Sequence, residues 1–137
     1  MHIALSNRLA ALVFLLCASI AVNSPAAAQE VDPADVESIE AIIAATYESI
    51  ERAPGQDFDW DRFRTLFLPE ALLIPNREQT GGQFRVLSPE GFIEWIDGVT
   101  TIGGPNDRGF AEEGYHNQVD RYGDVANVMS SYQKHYW

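Results

Sequence analysis

The segment HNQVDRYGDVANVMSSYQKHYW, residues 116–137, decides the fold class, because in it two strand-like runs flank one short turn. Gly123 and Asp124 separate the runs, and a glycine-containing pair of this kind is typical of the two-residue loop of a β-hairpin. All helical patterns precede this hairpin, so helices and strands are segregated along the chain. We therefore predict an α+β domain, with helices covering one face of an antiparallel sheet.

The first predicted helix extends over 32–55, upstream of the hairpin. Asp32 is its predicted cap, and a proline follows in the first turn. Its apolar residues recur at steps of three and four, as on one face of a helix. This stripe consists of Val36, Ile39, Ile43, Tyr47 and Ile50.

Two further helices are predicted between the first helix and the hairpin. One covers 57–67 and begins at one of two aspartates, Asp57 or Asp59. The other covers 88–100, with a serine cap followed by proline. Its residues predicted to face inward are Phe92, Trp95, Ile96 and Val99.

Two short apolar runs, ALLIPN at 71–76 and QFRVLS at 83–88, read as strands that would extend the sheet to four pieces. The last strand, from Val125 onward, would still leave a long and partly apolar edge, which a complete domain normally pairs or covers. We therefore expect further strands beyond Trp137 and a domain that is incomplete at its C-terminal end.

The first 28 residues have the three regions of a cleaved secretory signal. A basic start precedes an apolar run from Leu9 to Val22, and Ala26 and Ala28 form an A-x-A cleavage pattern. The apolar run is shorter than the roughly 20 residues that span a bilayer. We predict cleavage after Ala28 and a periplasmic or secreted domain of residues 29–137 that makes no further membrane contact.

Composition excludes several kinds of chemistry. Cys17 is the only cysteine and lies within the predicted signal, so we expect no disulfide and no thiol chemistry in the mature domain. A net charge of −11 disfavours nucleic acid as a partner. Glu112 and His116 would lie about 13 Å apart along a strand, too far to share a metal ion. We predict no cofactor and no metal.

Two segments carry a resemblance to a known family: IEAIIAATYESIERAPGQDFDWDRFRTLFLPEALLIPN at 39–76 and, more specifically, EEGYHNQVDRYGDVANVMSSYQ at 112–133. With them, residues 31–137 resemble the SnoaL-like branch of the NTF2-like superfamily. The resemblance implies a cone, in which a strongly bent sheet and its helices enclose a pocket. It also implies two additional long strands, which are absent from this sequence, and frequent homodimers.

The resemblance also bears on catalysis. In ketosteroid isomerases of this superfamily, a tyrosine of the first helix donates a hydrogen bond to a developing oxyanion, and Tyr47 occupies the matching place. The carboxylate base of those enzymes falls on Pro75, which cannot take a proton. The steroid-isomerase reaction is therefore not supported.

His116 is the strongest single candidate for proton transfer, because histidine titrates near neutral pH. In an unbroken strand it would share one face with Glu112, Gly114, Gln118 and Asp120. Tyr47 or Asp120 would be its catalytic partner. The alternative is a polar strand residue that makes local hydrogen bonds, and we favour this interpretation.

Aromatic side chains are the candidates for lining an apolar pocket. Their spacing equally predicts packing of helices on the sheet, which we favour. The predicted ligand-binding residues are Tyr47, Trp60, Phe63, Phe67, Trp95, His116, Gln118 and Tyr132.

Three functions remain open from the sequence. The leading one is an exported NTF2-like domain that binds a small apolar or amphipathic molecule in its cone. The second is an isomerase- or dehydratase-type enzyme that uses His116. The third is a structural module that forms a homodimer through its open sheet.

Overall fold

The computed structural model describes residues 30–137, so the predicted signal lies outside the described residues. The mixed α+β class is confirmed: the described part contains three α-helices followed by a two-stranded antiparallel sheet. A 3-10 helix precedes them at Pro33–Val36. The elements are α1 Ile39–Ser49, α2 Trp60–Thr65, α3 Pro89–Val99, β1 Ala111–Tyr122 and β2 Val125–His135.

The prediction of one continuous first helix from Asp32 is wrong. The Asp32 carboxylate caps only the 3-10 helix, where it accepts a hydrogen bond from the Ala34 backbone N–H at 2.9 Å. The Ser38 hydroxyl then accepts from the Ala41 N–H at 3.0 Å and starts α1. Serine is a favoured N-cap because its hydroxyl accepts a hydrogen bond from a free N–H of the following turn. A new helix therefore begins after Ser38, and the 3-10 helix does not continue into it.

An ion-pair network ties the 3-10 helix to α1 and α2. Arg62 of α2 donates to both carboxylate oxygens of Asp35, at 2.8 and 2.7 Å. The same guanidinium lies 2.8 Å from Glu48 of α1. The Arg62 hydrogen bonds hold the pKa of Asp35 below its usual value. The network fixes the position of α2 against α1.

The caps of α2 and α3 follow the prediction. Asp59 accepts from the Arg62 N–H at 3.0 Å, and Ser88 accepts from the Gly91 N–H at 3.1 Å. The inward position predicted for Val99 is wrong, because this residue is 65% exposed, whereas the buried residues of α3 are Pro89 and Ile93. With six residues, α2 is too short to cover all eleven residues of α3. Within residues 30–137, no helix reaches the length and apolarity needed to cross a bilayer.

The two predicted short strands are reduced to a single bridge, so the four-piece sheet is wrong for the described residues. Leu73 and Leu87 exchange both backbone hydrogen bonds, at 2.8 and 2.9 Å. The next hydrogen-bonding position of the first run is Pro75, which has no N–H. The ladder therefore ends after one pair.

The hairpin forms as predicted, with Tyr122 paired to Val125 across the turn. Gly123 has a φ of 57°, a left-handed conformation that glycine adopts without steric cost. An irregularity in register between Gly114 and His116 leaves one residue of β1 unpaired, as in a β-bulge. Because side chains alternate along a strand, the extra residue moves the residues after it to the face opposite to the one they would occupy in an unbroken strand.

The reversal places His116 on the face opposite to the one predicted. Gly114 and Asn117 face α1, since their cross-strand partners are Tyr132 and Ser130 and both of these contact Tyr47. We call this side the inner face. His116 follows the bulge and pairs with the residue after Ser130, so it lies on the outer face. The predicted common face with Glu112 and Gly114 is therefore wrong.

Candidate functional site

A large cavity of the described residues lies between α3 and the hairpin. No Cα of α3 comes within 8 Å of a Cα of either strand, so the backbones of the helix and the sheet stay apart. The space left between them has a volume of about 810 Å³. Seven aromatic side chains line it, and we name it the aromatic cavity after them: Phe58, Trp60, Phe92, Trp95, Phe110, Tyr132 and Tyr136.

The helical wall of the aromatic cavity is held by contacts between α2 and α3. The Trp60 indole N–H donates to the Asp97 carboxylate of α3 at 2.9 Å. Phe92 and Trp95 are three residues apart on α3, with ring centroids 5.8 Å apart in an edge-on arrangement. Tryptophan needs a partner for its N–H when it is partly buried, and Asp97 supplies it for Trp60.

The hairpin wall combines rings with cations. The Lys134 ammonium lies 5.9 Å from the ring centroid of Phe110 and 5.8 Å from that of Tyr132. The Arg108 guanidinium lies 5.3 Å from the ring centroid of Tyr136. Such positions over a ring face are favourable for a cation. Two cationic side chains, Lys134 and Arg108, therefore lie over aromatic rings of this wall.

Glu112 is the carboxylate nearest to Lys134, with 3.4 Å between the ammonium and a carboxylate oxygen. Its side chain is only 11% exposed. Burial raises the pKa of Glu112 above its ordinary value, against the opposing effect of Lys134. The ammonium does not fully compensate the loss of water around this carboxylate.

The loop that closes the cavity is anchored by a buried ion pair. Arg52 and Asp107 lie 2.8 Å apart, and their side chains are 5% and 2% exposed. The Asp107 carboxylate also accepts from the backbone N–H groups of Gly55, Gly103 and Gly109. These hydrogen bonds, with that of Arg52 the strongest, hold the pKa of Asp107 well below its usual value.

Tyr47 is placed away from the aromatic cavity. Its hydroxyl donates to Ser130 Oγ at 2.7 Å, and its ring approaches Gly114 so closely that a Cβ there would lie 2.9 Å from it. The ring lines a second cavity of about 720 Å³ between α1 and β1. Nearby, Asn117 Oδ1 is buried without a hydrogen-bond partner among the described residues.

The three residues predicted to transfer protons are not brought together. Two of them, His116 and Asp120, are exposed on the outer face, whereas the third, Tyr47, contacts the inner face. Gln118, a predicted ligand-binding residue, is also exposed on the outer face. His116 lines neither the aromatic cavity, nor the second cavity, nor a third of about 540 Å³ beside Trp60.

Of the predicted ligand-binding residues, the structure gathers Trp60, Trp95 and Tyr132 around the aromatic cavity. Phe63 lies in the core at 2% exposure, with Phe67 packed on it at 4.6 Å between ring centroids. These two are core-packing residues in the structure, where they pack between helices; packing, though on the sheet, was the interpretation of the aromatic pattern favoured from the sequence.

The polar residues of the cavity wall were missed by sequence reasoning. Arg52 and Asp107 are 55 positions apart, and only the aspartate inside a glycine-rich loop hinted at a hydrogen-bonded carboxylate. Lys134 gave no signal beyond being the only lysine of the chain.

Within residues 30–137, no group of three or more histidine, cysteine or acidic side chains is placed to hold a metal ion. No family model matches this chain, and no curated protein and no solved structure matches it significantly.

Proposed function

We propose that this chain is an exported, NTF2-like domain that binds a small apolar or amphipathic molecule in the aromatic cavity. The observation that carries the proposal is the cavity itself. Its volume of about 810 Å³ falls within the range of roughly 300–1,000 Å³ usual for small-molecule sites. Its lining combines aromatic and aliphatic side chains with polar and charged ones, and such a mixture suits an amphipathic ligand.

The cone of the NTF2-like superfamily belongs to the same proposal. A cone needs a sheet that bends around a space, and a β-bulge increases the local bend and twist of a strand. Here the irregularity at Gly114 lies in β1, whose partner β2 carries the Tyr132 wall of the cavity. The helices α2 and α3 stand on the other side of that space.

A proton-transfer enzyme using His116 has less support. Its imidazole is on the exposed outer face, and neither Tyr47 nor the aromatic cavity is on that side. A substrate in the cavity would have no access to His116 without rearrangement of β1.

If a ligand binds in the aromatic cavity, removal of the Trp95 side chain should lower the affinity for it. We expect the neutral fluorescent probe N-phenyl-1-naphthylamine to bind, and Trp95→Ala to weaken its affinity at least about tenfold, since an indole supplies a large apolar contact area. Fluorescence titration gives the affinities, and circular dichroism checks that the variant is folded.

Tyr122→Ala is the matched control, because Tyr122 is an exposed aromatic residue at the far end of the hairpin. It should bind the probe like the wild type. Equal affinity in the wild type and Trp95→Ala, or no binding by the wild type, would overturn the proposed function.

A homodimer is the second candidate, supported by the outer face of the hairpin. Three large apolar side chains are exposed there or at its margin, and no described element covers them: Met129, Val125 and Tyr115. The outer edge of β2 is also unpaired in the described residues, and such edges invite pairing with another strand. A second copy of the chain would cover both.

We expect the protein to elute as a dimer that dissociates on dilution, and Met129→Glu to shift it to monomer, because a charge on an apolar interface is costly. Size-exclusion chromatography with light scattering measures both. Gln83→Glu, which adds the same charge in an exposed loop, should leave the dimer intact. A wild-type monomer at every concentration would exclude the dimer.

A further inference from the structure

Lys134 is the only lysine in a chain of net charge −11, and its side chain lines the aromatic cavity. Its ammonium lies over the faces of two rings, and its side chain is 35% exposed. An ammonium has three donors and is strongly hydrated, so partial removal from water is favourable only where negative groups compensate for it.

The compensation supplied by Glu112 is incomplete. The distance of 3.4 Å between ammonium and carboxylate exceeds the roughly 2.7–2.9 Å of a good charge-assisted hydrogen bond. No other ion pair involves Lys134 among the described residues. Burial raises the pKa of Glu112, so Lys134 in turn does not fully offset the loss of water around this carboxylate.

The remaining charges of the cavity wall leave a positive surplus. Arg52 is neutralised by Asp107, which accepts its hydrogen bonds in the core of the loop. Arg108 makes no ion pair with another described residue and lies over Tyr136. Among the residues that line the cavity, only Glu112 then opposes Lys134 and Arg108, so the lining carries one net positive charge in a chain of net charge −11.

We propose that the molecule bound in the aromatic cavity is an anion with an apolar, ring-sized body, and that Lys134 binds its carboxylate. This inference rests on the proposed function, because it names the ligand class of the same cavity. The body would lie against Trp60, Phe92 and Trp95, and the carboxylate would replace Glu112 as the partner of the ammonium.

Two compounds with the same body test the charge preference. 2-Naphthylacetate carries a carboxylate, and 2-naphthylethanol carries a neutral hydroxyl at the corresponding place. Each is titrated against the protein loaded with N-phenyl-1-naphthylamine, and displacement gives its affinity. We expect the wild type to prefer the carboxylate roughly tenfold, as for a hydrogen bond to a charged group.

Three variants assign the preference to its residues. Lys134→Met keeps the aliphatic stem and should abolish the preference. Glu112→Gln removes the competing carboxylate and should increase it. Arg121→Met changes the net charge as Lys134→Met does, but its guanidinium lies at the hairpin turn on the Gly123 carbonyl, so the preference should persist.

The outcomes separate this inference from the proposed function. If the naphthylamine probe does not bind, the proposed function fails, and the inference fails with it. If the probe binds but the two competitors displace it equally well, the cavity stands and the anionic ligand is excluded. If the preference survives in Lys134→Met, or is lost equally in Arg121→Met, the assignment to Lys134 is overturned.

Discussion

Phe63→Ala should lower the free energy of unfolding by about 3–5 kcal/mol, the range measured for phenylalanine truncation in protein cores. Phe63 is 2% exposed and touches three other rings. Its ring stacks on Phe92 at 5.6 Å, meets Trp60 edge-on at 5.5 Å and lies 4.6 Å from Phe67, measured between ring centroids. Truncation opens a void where α2 and α3 meet.

Denaturant unfolding followed by circular dichroism measures this loss. Phe84→Ala is the control, since Phe84 is 68% exposed and its truncation should change stability by less than about 0.5 kcal/mol. Phe63→Leu keeps an apolar side chain in the site and should cost clearly less than alanine. Equal stability of Phe63→Ala and the wild type would show that this aromatic cluster is not the core.

Asp107→Asn should produce the second large loss, a melting temperature lower by about 10 °C or more, because it leaves a buried guanidinium unpaired. The amide keeps the size of the side chain and removes its charge. The Arg52 side chain is 5% exposed, so solvent has little access to replace the carboxylate. Three backbone N–H groups also lose a charged acceptor, so the loop that closes the aromatic cavity should loosen.

The same pair predicts how this loss depends on pH. The pKa of Asp107 is lower in the folded protein than the roughly 3.9 of an unfolded aspartate. Its contribution to stability is therefore complete above about pH 4 and is lost as pH falls towards the folded pKa. The difference in melting temperature between wild type and Asp107→Asn should be constant near neutral pH and shrink below about pH 4.

Melting curves between neutral pH and about pH 2.5 measure this difference over the range in which carboxylates titrate. Asp124→Asn is the matched control, because Asp124 is exposed in the hairpin turn and should show little effect at any pH. A gap between wild type and Asp107→Asn that persists unchanged at the acid end would contradict the role of the Asp107 charge.

The hairpin turn and the two helix caps Asp59 and Ser88 were predictable from sequence. Each depends on a few neighbouring residues: Gly123 supplies the left-handed turn, and a short polar side chain accepts the N–H groups of the turn that follows it. Interactions of this range are encoded locally. The α+β class followed from them, because it needs only the order of the elements.

The candidate site was predictable only in part. Trp60, Trp95 and Tyr132 were identified by aromatic character, and the structure brings them to one cavity. Lys134 and Arg52 were not identified, because a single basic residue has no pattern. Their importance comes from partners that are distant in the sequence, such as Phe110 for Lys134 and Asp107 for Arg52.

By itself, therefore, the sequence determined the starts of α2 and α3, the hairpin and the separation of helices from strands. Tertiary structure decided which face each residue of β1 occupies. The irregularity after Gly114 adds one residue, and a single added residue moves His116 to solvent, since side chains alternate with a period of two. The cavity is likewise tertiary, because it is the space between α3 and the hairpin, whose backbones stay apart.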